Sequence, residues 1–212
     1  MKAIAFDFDG TLIDSMGMWR NLGKNYLENR GIAFTEEIAK EINTMSLSMS
    51  CQFLKDYFHF EESLEDIYKE MGDILMEGYS KSIPLKEHAI EILDELKAKG
   101  YPIVLATATN ETFVKPAMER LELEDYFLWI QTCDNTGIQK GNTAFYELLC
   151  QRLSLSPEEI TFFDDAPYAL AAAKKTGLYT IGVRDTYNQE VWDQVVENSH
   201  MTINSLKDFQ VK

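Results

Sequence analysis

Lys2-Ala3-Ile4-Ala5-Phe6-Asp7-Phe8-Asp9-Gly10-Thr11-Leu12 is the stretch on which the reading of the chain turns. Ile4, Phe6 and Phe8 among small residues read as a short buried strand, too brief for a helix. Gly10 breaks the pattern, so Asp7 and Asp9 fall where strand becomes loop. Residues two apart on a strand point to the same side, and the two carboxylates therefore converge. Like charges that close are costly unless a cation or a proton is shared between them. An acidic Asp-Gly surface turn is the plain alternative. The rest of the chain decides between the two.

Beyond Leu12 the character changes. From about Ser15 to Ser80 the pattern is helical, without a convincing strand. Met18-Trp19, Leu22 and Tyr26-Leu27 recur at helical spacing up to Asn29-Arg30-Gly31, a helix end. Glu36–Ile42 and Cys51–Phe58 give two further helices, and Leu64, Ile67, Met71 and Leu75 line a fourth. This reads as a small helical bundle inserted directly after the first strand. From Ile83-Pro84 onward helices and strands alternate. Strands are expected at Ile103–Ala106, Phe127–Ile130, Ile160–Phe163, Tyr179–Val183 and, weakly, Met201–Ile203. Helices between them are marked by Ala89 to Leu96, Thr112 to Leu121, Phe145 to Leu153 and Ala169 to Lys175. Such alternation predicts an α/β fold, a Rossmann-like, mostly parallel sheet with helices on both faces. The expected division is a core of residues 1–14 and 81–212 with a helical insertion at 15–80.

With 20 basic and 35 acidic residues the net charge is −15. A surface this negative repels a phosphate backbone, and no Lys/Arg cluster offsets it, which disfavours nucleic acid as a partner. A small anionic substrate stays possible where a metal or a few cations reverse the field locally. No apolar run approaches the roughly 18 residues a membrane span needs, and no leader segment precedes the first strand, so a cytoplasmic protein is expected. Cys51, Cys133 and Cys150 are odd in number, widely spaced and in apolar neighbourhoods, which predicts buried reduced thiols. Little in the sequence bears on assembly, and a monomer or weak dimer is the expectation.

In parallel α/β sheets ligands bind beyond the carboxyl ends of the strands. Asp7 and Asp9 follow the first strand; Thr107, then Ala108, Thr109 and Asn110, follow the second; Asp164 and Asp165 follow Ile160–Phe163; Lys140 stands ahead of the Phe145 helix. Carboxylates around one hard cation suit Mg²⁺, which takes oxygen ligands and keeps waters. Such a metal neutralises phosphoryl oxygens. The Lys140 ammonium, the Thr107 hydroxyl and nearby backbone N–H groups could hold the same oxygens. One Asp could then attack phosphorus, and the other, protonated, could serve the leaving oxygen. That division suits the Asp7/Asp9 pair.

With these residues in place the chain resembles the haloacid dehalogenase-like hydrolase superfamily over nearly its whole length. Asp7-Phe8-Asp9-Gly10-Thr11-Leu12 matches the first motif, Asp-x-Asp-x-Thr; Thr107 matches the second, Lys140 the third and Asp164-Asp165 the paired-acid fourth. The branch with beta-phosphoglucomutase and phosphoglycolate phosphatase is the most similar. The resemblance implies Asp7 as nucleophile and Asp9 as general acid/base. It implies Mg²⁺ held by Asp7, the Asp9 main-chain carbonyl and Asp165, with Asp164 bound directly or through water. It also implies that the helical insertion is a cap. Two places depart from the family pattern: Lys140-Gly141 where relatives often carry Lys-Pro, and Pro84-Leu85-Lys86-Glu87-His88 where they often carry Pro-Gly.

Substrate choice is expected in the cap, in the loop Asn43 to Ser50 and at Trp19 and Arg20, with Arg20 as a candidate anion contact. For Trp19 a place in the bundle core is the simpler reading. A phosphomutase must hold a second phosphate, usually with Arg or Lys. The Asn43–Ser50 loop has neither, so hydrolysis of a small phosphorylated metabolite is favoured over mutase chemistry. Dehalogenation has no use for Asp9, and neither has a non-catalytic binder. Thr11 and Asn110 read as loop-shaping residues, and His59, His88 and His200 as ordinary histidines without ligand spacing.

Overall fold

The computed structural model describes residues 1–42 and 47–211. Two compact units emerge, one of Met1–Met16 with Ile83–Lys212, the other of Gly17–Ser82. The first is built on six strands: β1 (Ala3–Phe6), β2 (Ile103–Thr107), β3 (Ile130–Thr132), β4 (Ile160–Asp164), β5 (Tyr179–Val183) and β6 (Met201–Ile203). Their order is β3-β2-β1-β4-β5-β6, and every neighbouring pair is parallel. The chain runs outward from β1 on one side, then returns to grow the sheet on the other. The order therefore reverses between β1 and β4, the place where such sheets open a crevice for a ligand.

β1 is central and covered on both faces, hence its unbroken apolar run. Ala3 and Ala5 face a cluster with Val104, Ala106 and Phe162, closed by Phe145, Tyr146 and Leu149 and by Ala169, Ala172 and Ala173. On the alternate residues Phe6 stacks on Phe163 at 4.5 Å, and Phe163 meets Phe209 edge-on.

Among the described residues the second unit is built on four α-helices, α1 (Met16–Asn29), α2 (Glu36–Ile42), α3 (Leu47–Phe58) and α4 (Leu64–Glu77), followed by a π-helical turn at Gly78–Ser82. Gly23 lets α1 and α2 close up, because a Cβ there would lie 2.2 Å from the Ile42 Cδ1. Arg30 stacks 4.1 Å over the Tyr26 ring and pairs with Glu70 and Glu62. Trp19 is partly buried and donates from its indole to the Tyr79 hydroxyl at 2.9 Å, within this bundle.

The remaining helices belong to the first unit: α5 (Ala89–Ala98), α6 (Glu111–Arg120), α7 (Cys133–Thr136), α8 (Thr143–Leu153), α9 (Pro167–Thr176) and α10 (Trp192–Glu197). Two expectations need correction. The strand predicted at Phe127–Ile130 lies three residues later, at Ile130–Thr132; the aromatic run misled, since Leu128 is 61% exposed and precedes the strand. Cys51 and Cys150 are buried free thiols, but Cys133 is only half-buried, at the start of α7 on the sheet edge.

Candidate active site

Parallel pairing of β1 with β4 sets Phe6 opposite Phe163, so the next residues, Asp7 and Asp164, emerge side by side at the reversal point. The Asp7 N–H donates to the Phe163 carbonyl at 2.9 Å, carrying the pairing one step past the strand. Lys140 arrives from the turn between α7 and α8. Gly137 makes that turn at φ 68°, and Asn142 caps α8 by accepting from the Ala144 N–H. The ammonium lies 2.5 Å from Asp7 Oδ1 and 2.7 Å from Asp164 Oδ2, with its side chain 2% exposed. Residues 133 and 157 positions from Asp7 along the chain thus share one buried contact set.

Asp165 completes the cluster. Asp7, Asp164 and Asp165 are all buried, and each offers an oxygen within 4.8 Å of the others. Gly10 is required beside them on two counts. Its φ of 73° is left-handed, and a Cβ there would lie 2.5 Å from Asp165 Oδ2. Asp164 Oδ1 accepts the Ala166 N–H at 2.7 Å, which fixes the carboxylate as the chain enters α9.

The electrostatics follow from three acids around one base. Burial pushes the Asp7 carboxyl up to about 7, against the pull of Lys140 and with help from Asp164 and Asp9. Asp165 is driven well above the carboxylate range by burial, then by Asp164 and Asp7. Burial also raises Asp164, opposed by Lys140. Burial alone would lower the Lys140 ammonium, but Asp164 and Asp7 outweigh it and hold its pKa well above the usual lysine value. The cluster is short of positive charge.

Asp9 is turned differently. Ser15 Oγ donates to its Oδ1 at 2.5 Å and Thr109 Oγ1 to its Oδ2 at 2.7 Å. A hydroxyl thus holds each of its two oxygens. Thr107, buried at the end of β2, accepts the Thr109 N–H on its Oγ1 at 3.1 Å, which leaves its own O–H to donate elsewhere. Ala108 is exposed between them.

Of the residues singled out in the sequence, Asp7, Lys140, Asp164 and Asp165 meet directly, and Asp9 and Thr107 are linked through Thr109. Arg20 belongs to the helical unit on α1. In the loop Asn43 to Ser50, residues 43–46 lie outside the described residues, and Leu47–Ser50 open α3. Ser15 as a partner of Asp9 was not foreseen: it follows by six residues, with no spacing rule to announce it. His88 takes a left-handed conformation ahead of α5, beside Glu87 and Glu91, and His200 accepts on Nδ1 from the Thr180 N–H. Neither stands in the cluster.

The sequence model of the haloacid dehalogenase-like hydrolase family matches residues 4–183. The chain belongs to that family. Among curated relatives it is similar to a phosphorylated carbohydrates phosphatase of Thermotoga maritima, 26% identical over 181 residues, covering 85% of this chain and 84% of the relative. Phosphoglycolate phosphatase of Escherichia coli is 25% identical, with 89% and 83% covered. Among solved structures, a CbbY mutant of Rhodobacter sphaeroides in complex with xylulose-(1,5)bisphosphate superposes with a TM-score of 0.78 at 20% identity, over 97% of this chain and 94% of that one. No helix among the described residues is long and apolar enough to cross a membrane.

Proposed function

We propose that the protein is a phosphatase of small phosphomonoesters that works through an aspartyl-phosphate on Asp7 with Mg²⁺ as its cation. The observation that carries this reading is Lys140 bridging Asp7 and Asp164, with Asp165 in the same buried cluster. Three carboxylates against one ammonium lack two positive charges, the charge of one divalent ion. The donors are all hard oxygens lying within 4.8 Å of one another, the ligand type that Mg²⁺ takes. Asp7, Asp164, Asp165 and the Asp9 main-chain carbonyl would hold it. Bound there, the cation would neutralise phosphoryl oxygens and so admit an anionic nucleophile to an anionic ester.

The chain's own groups supply the rest. An Asp7 oxygen attacks phosphorus; its bond forms as the bond to the ester oxygen breaks. Asp9, protonated, gives its proton to the departing oxygen, then takes one from the water that attacks phosphorus in the second step. That step frees Asp7 and releases inorganic phosphate. Lys140 has three N–H groups, two of them directed at Asp7 and Asp164, and the third can reach a phosphoryl oxygen. The Thr107 hydroxyl and the Ala108 N–H donate to the others. We assign substrate choice to the helical unit as a cap, with Arg20 as its anion contact. The activities named for the phosphorylated carbohydrates phosphatase and phosphoglycolate phosphatase relatives support the substrate class.

Phosphate release from p-nitrophenyl phosphate, sugar phosphates, nucleotides and phosphoglycolate, with Mg²⁺ and with EDTA, tests the reading. Turnover that needs the cation is expected. Silence across the whole panel would sink it.

A further inference from the structure

Lys86, ahead of α5, is held at three points far from it in sequence. Its side chain is 17% exposed, and its ammonium donates to Gly10 O at 2.9 Å, Arg184 O at 3.2 Å and Asp185 Oδ2 at 2.5 Å. Three donors meet three acceptors. Asp185, buried, accepts the Tyr187 N–H on its other oxygen at 2.8 Å, and its own N–H goes to Asn188 Oδ1 at 3.1 Å. The Asn188 amide, also buried, donates to Asp165 O at 3.1 Å and Val183 O at 3.0 Å. One continuous set of hydrogen bonds thus runs from the Gly10 carbonyl to the Asp165 carbonyl. Those two backbones flank the carboxylate cluster and already press together, Gly10 having no room for a Cβ against Asp165. The Lys86 end falls in the segment that departs from the family's Pro-Gly pattern.

We propose that Lys86, Asp185 and Asn188 are positioning residues that fix the separation of the Gly10 and Asp165 backbones and thereby set the affinity of the carboxylate cluster for Mg²⁺. The inference rests on the cation reading above. It follows from how Mg²⁺ binds: near-octahedral geometry at about 2.0–2.1 Å tolerates little drift in its ligands, whereas Ca²⁺ accepts 2.3–2.6 Å and irregular shells. A residue that acts by spacing should therefore discriminate between the two ions. One that merely staples the fold should not. Partners behind a ligand shell commonly change metal affinity about 10–100-fold.

Calorimetric titration of the metal-free full chain with Mg²⁺ and with Ca²⁺ tests this. Lys86→Met and Asn188→Ala should each lose roughly 10–100-fold in Mg²⁺ affinity, with a change in Ca²⁺ affinity several times smaller. Should Lys86→Met fail to fold, Asn188→Ala decides, since it leaves the Lys86–Asp185 pair in place. A folded variant whose Mg²⁺ affinity stays within about twofold of wild type, or that loses both ions equally, would overturn the proposal. A wild-type chain that binds no divalent ion would overturn the cation reading itself, and this inference with it.

Discussion

Lys140 and Lys86 both bring an ammonium to the carboxyl ends of the strands, and each closes on a buried aspartate at 2.5 Å. Their remaining partners separate them. Lys86 is saturated by two main-chain carbonyls and one carboxylate. Lys140 faces two carboxylates, and Asp165 adds a third acid that no second base balances within the cluster. The first arrangement is finished as it stands. The second has negative charge left over, which is what a divalent cation would use. A buried ion pair is weak evidence of function by itself; the surplus around it carries the information.

The sharpest way to break this contrast is to remove each ammonium in turn. Either Lys140→Met or Lys86→Met strands a buried carboxylate and should destabilise the fold by about 3–5 kcal/mol in thermal or urea melts. Only Lys140→Met, like Asp7→Asn, should lower turnover of p-nitrophenyl phosphate by about a thousandfold or more. Lys86→Met at saturating Mg²⁺ should stay within a few-fold of wild type. Equal catalytic losses would erase the distinction.

Surplus charge also predicts how the metal-free protein responds to pH. Asp7 rises on folding from 3.8 to about 7, so the folded state binds protons more tightly than the unfolded one. Its protonated form favours folding at low pH, and that contribution is lost as pH rises through about 7. Melts in EDTA should therefore show stability falling by up to a few kcal/mol from pH 4 to 8, and Mg²⁺ should restore most at the alkaline end. A flat profile in EDTA would contradict the charge imbalance.

A finer test concerns Asp9 and its two hydroxyl donors. Ser15→Ala or Thr109→Val should slow an alkyl phosphate about tenfold and p-nitrophenyl phosphate much less, because a good leaving group needs little proton donation. Equal slowing of both esters would show that the hydroxyls hold the loop and not the acid.

The smallest effect lies at the far edge of the sheet. His200 is held below its usual pKa of 6.5, chiefly by burial and then by Lys174, while Nδ1 accepts from Thr180. A depressed histidine loses its contribution as pH falls below about 6.5. At this exposed position the loss should be a few tenths of a kcal/mol, seen as a shallower acid slope in His200→Gln.

Much of this was legible in the sequence because strand ends announce themselves. Apolar runs at Ile103–Ala106, Ile160–Phe163 and Tyr179–Val183 each gave way to polar residues where the strand stopped. Asp7, Lys140, Asp164 and Asp165 could therefore be placed on one rim. β3 was misplaced because a strand can be buried and polar: Gln131 is fully buried and donates to Phe145 O at 2.7 Å. Ser15, Asp185 and Asn188 stayed hidden for another reason. Their partners are chosen by tertiary approach, and no periodicity links residue 10 to residue 86 or 165 to 188.

β1 lies between β2 and β4, its paired residues there 99 and 157 positions further along. During synthesis the strand bearing Asp7 emerges long before either flank exists. A truncated chain ending before Ile160 would lack one flank and both acids of the fourth motif. Two of the three carboxylates in the cluster thus reach the sheet only with β4, the fourth of its strands in chain order.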